Sequence, residues 1–386
     1  MRETQAICEK AEGVAKSKIQ TLSLTISPPP VVTEIIVEKG VLRRGGWIPM
    51  LREVSGRFVL ITDEKVCSLW ANPLSVRMKQ AGFEMHLLSV PSGERSKSRE
   101  WKEVLEERMI EARCGRDTAV IALGGGVITD LAGFVAATYC RGLPFVSIPT
   151  TLLGMVDASL GGKVGINTLR GKNMIGAFHH PRYIFIDTET LVSLPSSEIL
   201  NGLSEMIKYA LIASRDLFDQ LVAKKPLDAL DAHCIRTCCE IKMGIVTQDP
   251  HEVGIRRILN FGHTVGHAIE TASDYRIAHG AAIAIGMITE AYLSCQLGYL
   301  SEQDVEEIRK LFDSYGFPLE LHPSVAEDEC MEIMRRDKKA NASQPRCVLL
   351  HSIGKPVCFE GAYCGEVPQK DWEEALRWMF ATFSRQ

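Results

Sequence analysis

Three histidines stand close together in the chain. His263 and His267 end the stretch Arg256-Arg257-Ile258-Leu259-Asn260-Phe261-Gly262-His263-Thr264-Val265-Gly266-His267, and His279 follows twelve residues later. A helix here would carry His263 and His267 one turn apart on one face. Imidazole is the commonest metal ligand, and three protein ligands with an open fourth position is the pattern of a catalytic zinc site. The spacing does not say which two or three histidines bind, and the adjacent pair is the obvious choice. Arg256, Asn260, His263 and His267 fall at i, i+4, i+7 and i+11. They form a polar stripe on a pattern otherwise rich in Ile and Leu, the mark of a site wall rather than a solvent face. The remaining histidines show no such grouping, with His179 and His180 in a loop before Pro181.

A second chemistry is carried by glycines and lysines. Gly124-Gly125-Gly126-Val127 follows an apolar run and opens a helical pattern, so main-chain N–H groups there can approach a phosphate at a helix N-terminus. The dinucleotide fingerprint G-x-G-x-x-G fails at Thr129, which leaves a tight structural turn as the alternative. Asp63, just past another apolar run, is placed to accept from a ribose hydroxyl or to serve as a plain turn residue. Gly161-Gly162-Lys163-Val164-Gly165-Ile166-Asn167 and Gly171-Lys172-Asn173 crowd two lysines and two asparagines together, which suits phosphate or carboxylate oxygens. The alternative is a pair of solvated loops. Glu205 and Lys208, at i and i+3 of a helical pattern, read by themselves as a surface ion pair.

Several elements must position these residues. Residues 57–62, 84–90, 118–123, 144–149 and 183–187 read as strands, with helical patterns at 97–113 and 128–139 between them. Strands alternating with helices imply a Rossmann-like, mostly parallel sheet covered on both faces, with ligands at the carboxyl ends of the strands. After Leu194-Pro195 the pattern turns helical, over roughly 197–212 (capped by Ser197), 228–247, 256–273, 280–297, 302–314 and 326–335. One late strand-like piece lies at 346–350. The expected organisation is an extension over 1–34, an α/β domain over 35–193 and an all-α domain over 194–386.

Composition narrows the class. The 386 residues fit two or three domains. With 44 Lys+Arg against 48 Asp+Glu the net charge is −4, which argues against nucleic acid as a partner. An apolar share of 46% and a charged share of 24% exclude disorder, collagen and coiled coil for the whole chain. The 12 cysteines are irregularly spaced and read as reduced thiols of a cytosolic protein. The longest apolar stretches, such as 119–123 and 281–288, are too short to span a membrane. The N-terminus lacks the pattern of a signal peptide, so a cytoplasmic location is expected.

Taken together, the motifs are specific. The run from Gly124 to Phe134, the turn Pro149-Thr150-Thr151-Leu152-Leu153, Asp157-Ala158-Ser159-Leu160-Gly161-Gly162-Lys163, Gly171-Lys172-Asn173-Met174-Ile175-Gly176-Ala177, Glu205-Met206-Ile207-Lys208 and Asn260 to His267 resemble 3-dehydroquinate synthase, of the sugar phosphate cyclases. The order and spacing match over roughly residues 35 to 360. The resemblance implies an NAD-binding α/β domain joined to a helical metal-binding domain, in a homodimer. It implies zinc or cobalt on Glu205, His263 and His279, which moves His267 to the substrate side. Asp63, Glu94, Lys97, Gly125, Gly126, Val127, Asp130, Thr150 and Thr151 would surround NAD, with Lys163 and Lys172 also reaching it. Catalytic roles would fall to Asp157, Lys163, Lys208, Lys242, Glu252, Asn260 and His267. Lys172, Asn173, Arg256 and one of Lys338 and Lys339 would bind substrate, and Arg141 would reach the partner subunit's site.

The implied reaction turns 3-deoxy-D-arabino-heptulosonate 7-phosphate into 3-dehydroquinate and phosphate, the second step of the shikimate pathway. It runs by transient NAD-dependent oxidation at C5, phosphate elimination, re-reduction and intramolecular aldol closure, with a metal polarising the C4 and C5 hydroxyls. Lys163, Asn173 and the Lys338/Lys339 pair would hold the phosphate, and Arg256 would offer a fork to the carboxylate. The alternatives are a cyclase acting on sedoheptulose 7-phosphate or glucose 6-phosphate, a metal-dependent polyol dehydrogenase, and a metal-stabilised binding module.

Overall fold

The computed structural model describes residues 31–169, 171–336 and 345–384. Lys338 and Lys339 lie outside the described residues, as does most of the extension expected over 1–34. Among the described residues, eight strands occur before residue 190: β1 (Glu34–Val37), β2 (Arg57–Asp63), β3 (Glu84–Val90), β4 (Thr118–Gly124), β5 (Phe145–Pro149), β6 (Lys163–Thr168), β7 (Gly171–Phe178) and β8 (Tyr183–Ile186). Six of them make one parallel sheet in the order β1-β8-β5-β4-β2-β3. Helices α1 (Asn72–Gln80), α2 (Arg99–Glu111) and α3 (Gly126–Thr138) connect them.

The sheet is parallel because its strands are apolar on both faces. All seven residues of β4 are buried. Phe58, Leu60, Ala119 and Ile121 pack into one cluster, while Val59, Ile61, Val120 and Ala122 pack into another on the opposite face. This alternation is the period of two that a strand imposes. The chain runs from β2 to β3 at one edge and returns to β4 on the other side of β2. That reversal opens a crevice at the carboxyl ends of β2 and β4, where open α/β sheets bind ligands.

Helices dominate the second half: α4 (Ser196–Ala213), α5 (Arg215–Val222), α6 (Ala232–Gln248), α7 (His263–Ala272), α8 (His279–Gln296), α9 (Glu302–Ser314), α10 (Glu327–Arg336) and α11 (Gln369–Phe383). The all-α expectation needs one small addition. Arg346–Cys347 pairs with Gly365–Glu366, and Leu350–Ser352 with Lys355–Pro356, as two short antiparallel ladders. No helix among the described residues is long and apolar enough to cross a membrane.

Three expectations are corrected. Ser197 is not the cap of α4, which starts one residue earlier behind Pro195 and has no side-chain cap. The single helix expected over 256–273 is two pieces, a 3-10 turn at Ile255–Asn260 and then α7. The break is Gly262, at φ +77°, where a Cβ would meet Met287 Cγ at 2.2 Å. Arg256, Asn260, His263 and His267 therefore do not share one helical face. The solvated loops considered for 163–173 are instead the hairpin β6–β7, which closes across Gly165 and Gly176. A Cβ on Gly176 would lie 2.2 Å from Val164 O, so only glycine allows that approach.

Candidate active site

Helices α4, α7 and α8 converge on a group of three side chains. Glu205 is buried in α4, and its Oε2 pairs with Lys208, one turn on. His263 Nε2 and His279 Nε2 lie 3.4 and 3.6 Å from Glu205 Oε1. One donor atom from each of the three falls within 4.8 Å of the others. Donors held about 2.1 Å from a tetrahedral ion stand roughly 3.4 Å apart, so this spacing fits a zinc-type ion. The remaining ring atoms support it. His263 Nδ1 is 3.0 Å from Phe261 O and His279 Nδ1 is 3.3 Å from Glu270 Oε2. These contacts leave both Nε2 atoms turned inward as ligand atoms. His267 packs edge-on against His263, with ring centroids 5.1 Å apart, but does not join the group.

Electrostatics at Glu205 and His263 favour the same reading. Taking a carboxylate out of water costs several kcal/mol unless cations compensate. Burial pushes the Glu205 carboxyl up, but Lys208 and His263 hold it well below the usual carboxylate range. Burial and the Lys208 charge push His263 down, toward the neutral imidazole that a metal requires. Burial also opposes charge on His279, but Glu205 and Glu270 raise it to about 10 in the metal-free chain.

The sheet crevice gathers most of the residues expected around NAD. Asp63 ends β2, and its Oδ1 accepts from Lys65 N, Val66 N and Ser92 Oγ at 2.9, 3.1 and 2.8 Å, so it does cap the turn that follows. Gly125 precedes α3, whose N-terminus has no side-chain cap, and Gly126 and Val127 form its first turn. A Cβ on Gly125 would meet Thr151 Cγ2 at 2.9 Å. Thr150 N donates to Gly124 O at 2.9 Å, joining the ends of β4 and β5. Buried Lys97 bridges Asp130 of α3 to Asn173 of β7. Glu94 accepts from Asn167 Nδ2 at 2.6 Å. Burial lifts the Asp130 carboxyl to about 6, with Lys97 opposing.

The expected substrate residues form a network of ion pairs. Lys163 pairs with Glu252, which also accepts from Asn260 Nδ2 at 2.8 Å. Lys172 Nζ is 3.9 Å from Glu270. Lys242 Nζ donates to Asp157 Oδ1 at 2.6 Å and to Asp157 O at 2.7 Å. Burial would raise Asp157, but Lys242 and Lys208 bring it down to about 2. Arg256 is buried, and its two terminal nitrogens donate to Pro250 O and Gly161 O at 2.6 and 3.1 Å. Its Nε is buried without a partner among the described residues. Arg141 is exposed in the turn after α3, on left-handed backbone beside Cys140, and the structure does not bring it into this group.

Two supporting residues were not foreseen. Glu290 of α8 is fully buried and accepts from the N–H groups of Gly262, Thr264 and Val265 at 2.8, 3.1 and 3.3 Å, capping the helix that carries His263. The signal was an acid inside an apolar helix, eleven residues after His279. Tyr209, beside Lys208, donates to Asp157 Oδ1 at 2.7 Å. Its sequence signal is no more than adjacency.

Comparison with known proteins places this geometry. A family model described as 3-dehydroquinate synthase N-terminal matches residues 87–201, and one described as 3-dehydroquinate synthase C-terminal matches residues 202–340. The chain belongs to the 3-dehydroquinate synthase family. The 3-dehydroquinate synthase of Desulforamulus reducens is 42% identical over 333 residues, 84% of this chain and 92% of that protein. That of a Synechococcus species is 36% identical over 367 residues, 92% of this chain and 98% of its own. A solved 2-epi-5-epi-valiolone synthase from Streptomyces hygroscopicus, with NAD+ and Zn2+ bound, aligns with a TM-score of 0.83 at 26% identity, covering 93% of this chain and all of that one. A 2-deoxy-scyllo-inosose synthase complexed with carbaglucose-6-phosphate, NAD+ and Co2+ aligns at 0.80 and 27% identity, over 90% and 96% of the two chains. A Schizosaccharomyces pombe glycerol dehydrogenase, at 17% identity and a TM-score of 0.60 over 92% of this chain and 91% of its own, shares the fold.

Proposed function

We propose that this chain converts 3-deoxy-D-arabino-heptulosonate 7-phosphate into 3-dehydroquinate and inorganic phosphate, with NAD and a divalent zinc or cobalt ion as cofactors. The Glu205, His263 and His279 group carries the reading, since it joins a buried carboxylate to two half-buried imidazoles beside a paired lysine in a chain of this family. These three would hold a divalent ion, which would supply Lewis-acid polarisation of the substrate hydroxyls. Gly125 and Gly126 would help to hold NAD, which would supply reversible hydride exchange at C5.

The protein's own groups do the rest. Lys163 and Asn173, with Lys338 or Lys339, hold the phosphate, and the Arg256 guanidinium faces the carboxylate. Lys208, Lys242 and Asp157 hold the ring hydroxyls by charge-assisted hydrogen bonds. His267, beside His263, takes or returns a proton. The substrate's own phosphate can remove the C6 proton, so much of the rate arises from positioning. We further propose a cytoplasmic homodimer in which exposed Arg141 extends to the partner subunit's site, and a functional division of each chain at 193–194.

The test presents the heptulosonate phosphate, sedoheptulose 7-phosphate and glucose 6-phosphate side by side to protein loaded with NAD and zinc or cobalt. The expected result is phosphate release from the first without net NADH. Preferential turnover of either other sugar would transfer the chain to a sister activity. Steady NADH growth without phosphate release would make it a dehydrogenase. A chelator should stop turnover with the circular dichroism retained; unfolding instead would favour a metal-stabilised binding module.

A further inference from the structure

Glu270 lies on α7, one turn beyond His267, and is 7% exposed. Its two oxygens face different partners. Oε2 is 3.3 Å from His279 Nδ1, and Oε1 is 3.9 Å from Lys172 Nζ. The same Lys172 Nζ sits 3.9 Å from the centroid of the Tyr275 ring. Tyr275 and its neighbour Asp274 both occupy left-handed backbone, at φ 56° and 52°. That conformation costs energy for residues with a Cβ and is characteristic of sites where geometry matters. Tyr275 N donates to Glu270 O at 2.8 Å, and so does Ser273 Oγ at 2.9 Å, which lashes the strained turn to the carboxylate's own residue.

We propose that Glu270 is a positioning residue that acts in two directions at once. One oxygen orients the imidazole of the metal ligand His279, and the other, with the Tyr275 ring, docks Lys172 of the β6–β7 hairpin. A carboxylate behind a histidine ligand fixes the tautomer and raises ligand basicity, and losing such a partner costs 10–100-fold in metal affinity. An ammonium over an aromatic face at a half-exposed site contributes a factor of about two to five in occupancy of that position. The structure therefore ties the metal ligand and the substrate-side hairpin to a single carboxylate. The Lys172 arm rests on the function proposed above, whereas the metal arm does not.

The experiment uses the full chain. Zinc affinity is measured by competition with a chromophoric chelator for the wild type, Glu270→Gln and Glu270→Ala, and the visible spectrum is recorded after cobalt loading. Zinc binding should weaken about tenfold in Glu270→Gln and about a hundredfold in Glu270→Ala, with a changed cobalt spectrum. The melting temperature of the chelator-treated protein should stay close to wild type, which separates positioning from a general loss of structure. Tyr275→Leu should leave zinc affinity unchanged and raise KM for the sugar phosphate about two- to fivefold at constant kcat. Unchanged zinc affinity in Glu270→Ala, or an equal fall in the metal-free melting temperature, would overturn the metal arm. An unchanged KM in an active Tyr275→Leu would overturn the Lys172 arm. Absence of turnover in the wild type would refute the proposed reaction and with it that arm, while the zinc titration would still decide the metal arm.

Discussion

The metal corner and the β6–β7 hairpin use the same residue classes in opposite ways. At the metal corner Glu205 and Lys208 have side chains 1% and 2% exposed, and every donor comes from a helix packed on its neighbours. The helices α7 and α8 touch at bare backbone, since a Cβ on Gly286 would lie 2.1 Å from Gly262 O. On the hairpin, the Lys163 and Lys172 side chains are 52% and 42% exposed and reach out from a two-stranded ribbon. Coordination needs donors fixed to a fraction of an ångström. Binding an anion at the end of a long sugar needs mobile point charges, which lysine supplies. One region is built to stay still and the other to adjust.

The largest effect should come from breaking the still region at its centre. Glu205→Ala removes a ligand and leaves Lys208 buried without its carboxylate. Turnover should fall by about a thousandfold or more, the worth of several kcal/mol of polarisation. Atomic absorption should show metal lost from Glu205→Ala and His263→Ala and retained in His267→Ala; equal loss in all three would show the ligand set to be different. Glu290→Ala should come next, because three buried N–H groups lose their acceptor. A loss of about 3 kcal/mol by urea unfolding is expected, and an exposed-site value below about 0.5 kcal/mol would show that α7 does not depend on its borrowed cap. Gly286→Ala should cost about 1–3 kcal/mol by overpacking, with zinc affinity falling as the helices part. The adjustable region should give the contrary pattern. Lys163→Ala should raise KM for the sugar phosphate ten- to a hundredfold, as for a charged hydrogen bond, while unfolding free energy moves by less than about 1 kcal/mol.

The same contrast explains what could be read from the sequence. Five of the six strands of the parallel sheet were legible because their runs are short, apolar and uninterrupted, whereas the four-residue edge strand Glu34–Val37 is too short and too exposed to stand out. Most helices were legible by period. Glu205 was not: at i and i+3 with Lys208 it has the look of a solvent pair, and periodicity cannot tell a polar stripe facing water from one facing a site. Only the resemblance of the whole motif set corrected it. The hairpin hid behind Gly165, Gly171 and Gly176, which lower strand propensity but are required where the two backbones close. The break at Gly262 was invisible because it answers to Met287 and Gly286, distant in sequence. Helix α11 buries Trp372, Leu376, Met379 and Phe383, a helical spacing with no chemistry-bearing residue to draw attention to it.

Each lysine assigned to cofactor or substrate among the described residues already holds a carboxylate: Lys97 with Asp130, Lys163 with Glu252, Lys172 with Glu270, Lys208 with Glu205 and Lys242 with Asp157. An anionic substrate therefore does not enter a bare cationic funnel. At Lys163 a phosphate should instead bind by ion exchange, taking the place of the Glu252 carboxylate. Such a pocket draws little from long-range attraction, so association should be slow relative to steered encounters and only weakly sensitive to ionic strength. Discrimination then falls at contact, where a sugar without the phosphate leaves the Lys163–Glu252 pair unbroken and gains nothing from it.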